Sequence, residues 1–161
     1  MRTVARWWAR IGGIPARALA NRLSSQLPSD SYDGIALIIG DRSVEAVAGR
    51  FCTRTREALA CAATRAPQSY ARLRKDIRSI VLWRDASRSP YHPIQLAALV
   101  PVQTALESDI LAYAAWLLYT SGLSHSERQA SDRTDEFLRS LDPDQHRLVS
   151  DWLFASGGIR R

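Results

Sequence analysis

T-A-L-E-S-D-I-L-A-Y-A-A-W-L-L-Y, residues 104–119, is the stretch whose reading decides the fold. Thr104 and Glu107 match a T-x-x-E capping box, in which each side chain satisfies a backbone N–H left unpaired by the first helical turn. A helix is therefore predicted to begin at Thr104. Residues 110–119 are all apolar or aromatic, so no side faces water and the helix is expected to run through the middle of a core. The run is well short of the roughly 20 residues needed to span a bilayer. Its apolar half carries no ionisable group suited to holding a metal or moving a proton.

With 161 residues, 46% of them apolar and 24% charged, the chain has the composition of one globular domain. Of 22 cationic residues only Lys75 is a lysine. Together with abundant alanine, this bias points to a GC-rich, bacterial coding sequence. Charge is unevenly distributed: residues 1–90 hold 16 basic and 7 acidic side chains, and residues 91–161 hold 6 and 9. That split implies either an acidic partner for the first half or attraction between the halves. Cys52 and Cys61, with no C-x-x-C, fit a reducing compartment. The N-terminus has no continuous apolar core of a secretory signal, so a cytoplasmic location is expected.

Residues 1–27 read as a basic amphipathic helical segment and residues 28–161 as a single α+β domain. In residues 2–11, Val4, Trp7, Trp8 and Ile11 share one helical face, opposite Arg2, Arg6 and Arg10. Trp7 and Trp8 beside Arg6 and Arg10 suit either a lipid headgroup layer or packing on a protein surface. Gly12 and Gly13 interrupt this helix, and Pro15 opens a second one with Leu19, Leu23 and Leu27 at spacing four.

Residues 26–34 read as a loop. Residues 35–39, I-A-L-I-I, and the alternating residues 44–51 are expected to pair as a hairpin. Helices follow over residues 53–66 and 67–77, the second opened by Pro67. Residues 79–83 and 94–102 supply two more strands that should pair. Beyond the central helix, Ser124 with Glu127, and Asp142 with Pro143 and Gln145, mark two further helix starts. The expected fold is α+β: a small mixed or antiparallel sheet of about four strands, packed against a buried central helix and several flanking helices.

Arg54, Arg56, Arg65, Arg72, Arg74, Lys75 and Arg78 line the helical pair over residues 53–78. Arg54, Arg56, Arg72, Arg74, Lys75 and Arg78 are the expected partner-binding residues. Arginine grips carboxylates and phosphates bidentately, so an acidic protein is the leading partner and nucleic acid the alternative. A plain solvated face fits the same spacing. Asp132, Asp135 and Glu136 among Arg128, Arg133 and Arg139 read as solvent-facing ion pairs.

Catalytic signals are sparse. His92, His125 and His146 each stand alone, whereas zinc sites usually show two ligands at helical or turn spacing. A hydrolase using all three would need long-range convergence. No G-x-S-x-G is present, and Ser121-Gly122 reads as a helix end. Cys52 is expected at a helix start near Arg54 and Arg56, which favours its thiolate. No catalytic residue, metal or cofactor is expected from the motifs.

R-T-R-E-A-L (residues 54–59), Y-A-R-L-R-K-D-I-R-S-I-V-L-W (residues 70–83) and W-L-L (residues 116–118) resemble small bacterial zincin-type metallopeptidases over residues 51–154. In that family a helix after the strands carries H-E-x-x-H. Here those positions read Tyr119-Thr120-Ser121-Gly122-Leu123 or, shifted by two, Ser121-Gly122-Leu123-Ser124-His125. The resemblance therefore implies a scaffold that has lost its metal, with Tyr119, His125 and His92 as residues of a vestigial site. The expected function is a non-catalytic domain that binds another macromolecule.

Overall fold

The computed structural model describes residues 30–40, 42–84, 91–92 and 96–155. The N-terminal segment over residues 1–27, with Arg6, Trp7, Trp8 and Arg10, lies outside the described residues. The chain is α+β. Strands β1 (Asp30–Tyr32) and β2 (Ile35–Ile39) lead through a 3-10 helix (Arg42–Val47) into helices α1 (Ala48–Arg65) and α2 (Pro67–Asp76). Strands β3 (Ser79–Trp83), β4 (Tyr91–His92) and β5 (Ala97–Pro101) follow. Then come helices α3 (Val102–Glu107), α4 (Ile110–Leu123), α5 (Glu127–Arg139) and α6 (Pro143–Ala155).

The sheet is mixed and five-stranded, in the order β1-β2-β3-β5-β4. The central strands β2, β3 and β5 are parallel, with Leu37 opposite Ile80 and Ile80 opposite Ala98. The two edge strands, β1 and β4, run antiparallel to their neighbours.

The expected hairpin is displaced towards the N-terminus. It joins β1 to β2 through Asp33 and Gly34, at φ 51° and 83°. Two successive positive φ angles are those of a type I′ turn, whose twist matches that of the flanking strands. Residues 44–51 are helical instead of a strand. Val44, Val47 and Phe51 recur at spacing three and four and turn one side of the chain into the core. With alanine and glutamate filling the positions between them, an alternating pattern over so few residues does not separate a strand from a helix.

The central apolar stretch is divided. Thr104 lies inside α3, so the expected capping box does not form. The chain extends at Ser108 and Asp109, and the Asp109 side chain accepts a hydrogen bond from Leu111 N at 2.8 Å, which starts α4. Every residue from position 112 to 122 of α4 is buried, and α1, α2, α5 and α6 all pack against it. Tyr113, wholly buried, shares a 2.9 Å hydrogen bond with Thr55 of α1. The start of α5 is capped by Ser126, not Ser124, through a 3.1 Å bond from Gln129 N. Asp142 caps α6 as its sequence predicts, accepting from Gln145 N at 2.9 Å.

Side chains alternate across the sheet. Ile35, Leu37, Ile80, Leu82, Ala98 and Val100 form the face on which the helices pack. Among the described residues no helix is long and apolar enough to cross a membrane.

Candidate functional site

Helix α2 carries three of the 16 cations of the first half, Arg72, Arg74 and Lys75. Pro67 opens it, and Tyr70, Leu73 and the following Ile77 turn into the core. Because these residues occupy one side, Arg72 and Lys75, three positions apart, lie together on the opposite, exposed side. Arg78 is exposed just beyond the helix, where its backbone is held by a bond from its N–H to Leu96 O at 2.7 Å and by its carbonyl accepting from Ala36 N at 3.0 Å.

The remaining cations of the expected set are engaged within the fold. Arg54 is half-buried; its Nε donates to Ala105 O at 2.8 Å and its other arm to Ser108 O. With Arg50, which donates to Leu106 O at 3.0 Å, it satisfies carbonyls that the end of α3 leaves unpaired. Arg56 pairs with Asp30 and also donates to Ser31 O at 3.2 Å, fastening α1 to the edge strand β1. The Asp30 carboxyl is held below its usual range, first by the Ser31 N–H and then by Arg56. Arg74 pairs with Asp33 at 3.2 Å, and the Tyr70 hydroxyl donates to the same carboxylate at 2.9 Å. These two contacts hold the β1–β2 turn against α2.

A second polar cluster joins α2, α4 and α5. Asp76 accepts from Arg133 at 2.6 Å and lies 3.0 Å from His125 Nε2. Arg133 also donates to Ser121 Oγ at 2.9 Å, and Ser121 Oγ itself donates to Leu118 O at 2.7 Å. Arg133, read from sequence as a surface residue, is 3% exposed. Glu136, expected in a solvent-facing pair, is turned onto the start of α2 and accepts from Gln68 N at 3.2 Å, Ser69 N at 2.8 Å and the Ser69 hydroxyl. It supplies the cap that Ala66 cannot, with a carboxylate at the positive end of the helix dipole.

This junction has the residue types of a hydrolytic site without the geometry. The Ser121 hydroxyl is fully buried and committed to Leu118 and Arg133, while His125 faces Asp76. The Ser121 hydroxyl is therefore closed to a substrate. Of the positions that the zincin resemblance marks, residues 119–122 are buried. Tyr119 is buried, and a Cβ at Gly122 would lie 2.4 Å from the backbone of Ala130 in α5. His125 is half-exposed and His146 lies on the exposed first turn of α6, whereas the His92 side chain is outside the described residues. Among the described residues no three His, Cys, Asp or Glu side chains are grouped to hold a metal.

No family model, curated protein or solved structure matches the chain.

Cys52 lies one turn inside α1 and is buried, not at the helix start. Burial pushes its thiol up, Asp30 adds to the rise, and Arg56 only partly opposes it. Its thiolate is therefore disfavoured. A cleft of about 370 Å³ between α3 and α6 is lined by Gln103, Thr104, Glu107, Ser108, Trp152 and Ala155. Its walls come from residues about 50 positions apart, which no local pattern could have joined. The Asp76–Arg133 pairing was hidden for the same reason, whereas the Asp33-Gly34 turn did carry a local signal.

Proposed function

We propose that this chain is a non-catalytic binding domain whose contact surface is the outer side of α2, formed by Arg72, Lys75 and Arg78, and whose partner is an acidic protein surface. The observation that carries the reading is the direction of the ion pairs. Among the described residues, those that join the two halves of the chain pair Asp76 with His125 and Arg133, so the acid comes from the basic half. Among the described residues, no carboxylate of the second half is ion-paired with a cation of the first. The attraction between halves that would have made the charge split purely internal is therefore not what these contacts provide.

Arg72, Lys75 and Arg78 are exposed and have no ion pair among the described residues. Three cations suit a compact acidic patch. A duplex-DNA site with about 6–10 phosphate contacts needs a larger footprint than this surface offers.

The test is fluorescence anisotropy with labelled polyglutamate and with duplex DNA at low salt. At roughly 0.2–1 kcal/mol for each exposed charge contact, R72E/K75E/R78E should weaken polyglutamate binding by about tenfold or more. Unchanged binding would overturn the assignment of the surface. Tighter binding of duplex DNA than of polyglutamate by the unmodified chain would overturn the class of partner.

A further inference from the structure

The cleft between α3 and α6 is walled by polar groups that the fold leaves unused. On the α3 side, Thr104 and Ser108 are each only 8% exposed. The Ser108 hydroxyl donates to Thr104 O, whereas the Thr104 hydroxyl has no hydrogen-bond partner among the described residues. A hydroxyl so nearly buried is ordinarily bonded, so an unused one on a cavity wall marks a place for a polar atom of a ligand. Gln103 and Glu107, one turn apart on the same wall, are exposed, and neither side chain makes a hydrogen bond or ion pair among the described residues. Arg50 and Arg54 reach α3 but end on the carbonyls of Leu106, Ala105 and Ser108, not on Glu107. Across the cleft stands Trp152 of α6, packed against the core, with the small Ala155 three positions on. Leu148, four positions before Trp152 and 65% exposed, continues this apolar side beyond the cleft. At about 370 Å³ the cleft falls within the roughly 300–1,000 Å³ of small-ligand sites. Gln103 and Thr104 closely follow Pro101, the last residue of β5, so the cleft lies beyond the carboxyl end of a parallel strand, where open sheets of this kind place their ligands.

We propose that this cleft binds an alkylguanidinium group, its head between Glu107 and Trp152 and its hydrocarbon stem along Trp152 and Leu148. A carboxylate accepts a guanidinium through two parallel N–H bonds, and the remaining N–H groups are matched by the other acceptors of the wall, Thr104 Oγ1 and Gln103 Oε1. The planar, weakly hydrated head also lies favourably against an indole, more so than a compact, strongly hydrated ammonium. An anionic ligand would meet the unpaired Glu107, and a wholly apolar one would leave Glu107 and the Thr104 hydroxyl without partners. Helix α6 has no basic residue in its last turn, where Trp152 and Ala155 lie, so the negative end of its dipole adds to the attraction for a cation. Free alkylguanidines and arginine side chains carry the same head. The cleft is separate from the α2 surface, and its assignment does not rest on the reading of that surface.

Isothermal titration calorimetry on the full chain tests this with two matched pairs of probes, n-pentylguanidinium against n-pentylurea and N-acetylarginine methylamide against its citrulline counterpart. Within each pair the shape is nearly the same and only the charge differs. A charged member should bind about tenfold or more tightly than its neutral partner. The tighter of the two charged members assigns the source, a free ligand or a peptide side chain. In E107Q the preference for charge should disappear, and T104V, nearly isosteric, should weaken the charged probe severalfold. D144N makes the same charge change as E107Q on the exposed first turn of α6 and should leave the affinity unaltered. Equal affinities within both pairs, or no saturable binding of either charged probe, would overturn the proposal. So would a preference retained in E107Q, or a loss in D144N as large as in E107Q.

Discussion

Arg133 illustrates how the fold redefines a residue. Its neighbours Asp132, Asp135 and Arg139 are exposed, and from sequence alone it belongs with them. Its partner Asp76 is 57 positions away, beyond any pattern of three or four. R133M should lower the unfolding free energy by about 1–3 kcal/mol, because it removes the hydrogen bonds that the buried guanidinium makes to Asp76 and Ser121. Urea denaturation measures this, and an unchanged midpoint would show that the junction contributes no stability. Tyr113 makes a related prediction at high pH. Burial pushes its phenol well above the usual range, against weaker opposing effects of the Thr55 hydrogen bond and the Arg54 charge. A raised folded value means that the stabilisation is fully present below the unfolded value, about 10, and is lost as pH rises through the folded value. The urea midpoint should therefore hold up to about pH 10 and fall between pH 10 and pH 12. It should fall less in T55V/Y113F, which removes both partners of the buried hydrogen bond together; equal falls would place the sensitivity on other groups.

Elements were legible where one face of a periodic pattern carried large apolar residues. Tyr70, Leu73 and Ile77 marked α2, and the unbroken run from Ile80 to Trp83 marked β3. Helix starts were less legible, since Thr104 and Ser124 carry the right chemistry five and two residues away from Asp109 and Ser126, the side chains that form the caps. Tertiary packing decides among such near-equivalent starts. The Asp33-Gly34 hairpin was available as a turn signal and was obscured by the polar residues before it. Gly122 shows what the packing of α4 on α5 demands. Alanine is the better helix former by about 1 kcal/mol, yet a Cβ there would meet Ala130 at 2.4 Å. G122A should therefore be destabilising, by about 1–3 kcal/mol for an overpacked contact. A raised thermal midpoint would mean that α5 can move away without loss.

At the scale of the molecule, the charge split was visible in the sequence and its assignment to a surface was not. Six cations were expected to act together. Arg54, Arg56 and Arg74 instead hold α3, β1 and the hairpin turn in place, which leaves Arg72, Lys75 and Arg78 facing solvent. Spacing alone could not separate these groups, because their partners Asp30, Asp33 and Ala105 lie 26 to 51 positions away from Arg56 and Arg54 or in the preceding hairpin. The most direct measurement compares R72E/K75E/R78E with R128E/R139E/R147E, which makes the same change in net charge on α5 and α6. Binding to labelled polyglutamate is followed by anisotropy across a salt titration. The α2 variant should lose about tenfold or more in affinity at low salt, while the α5/α6 variant retains most of it. Equal losses in the two would show that net charge, and not the surface of α2, holds the partner, and would contradict the account.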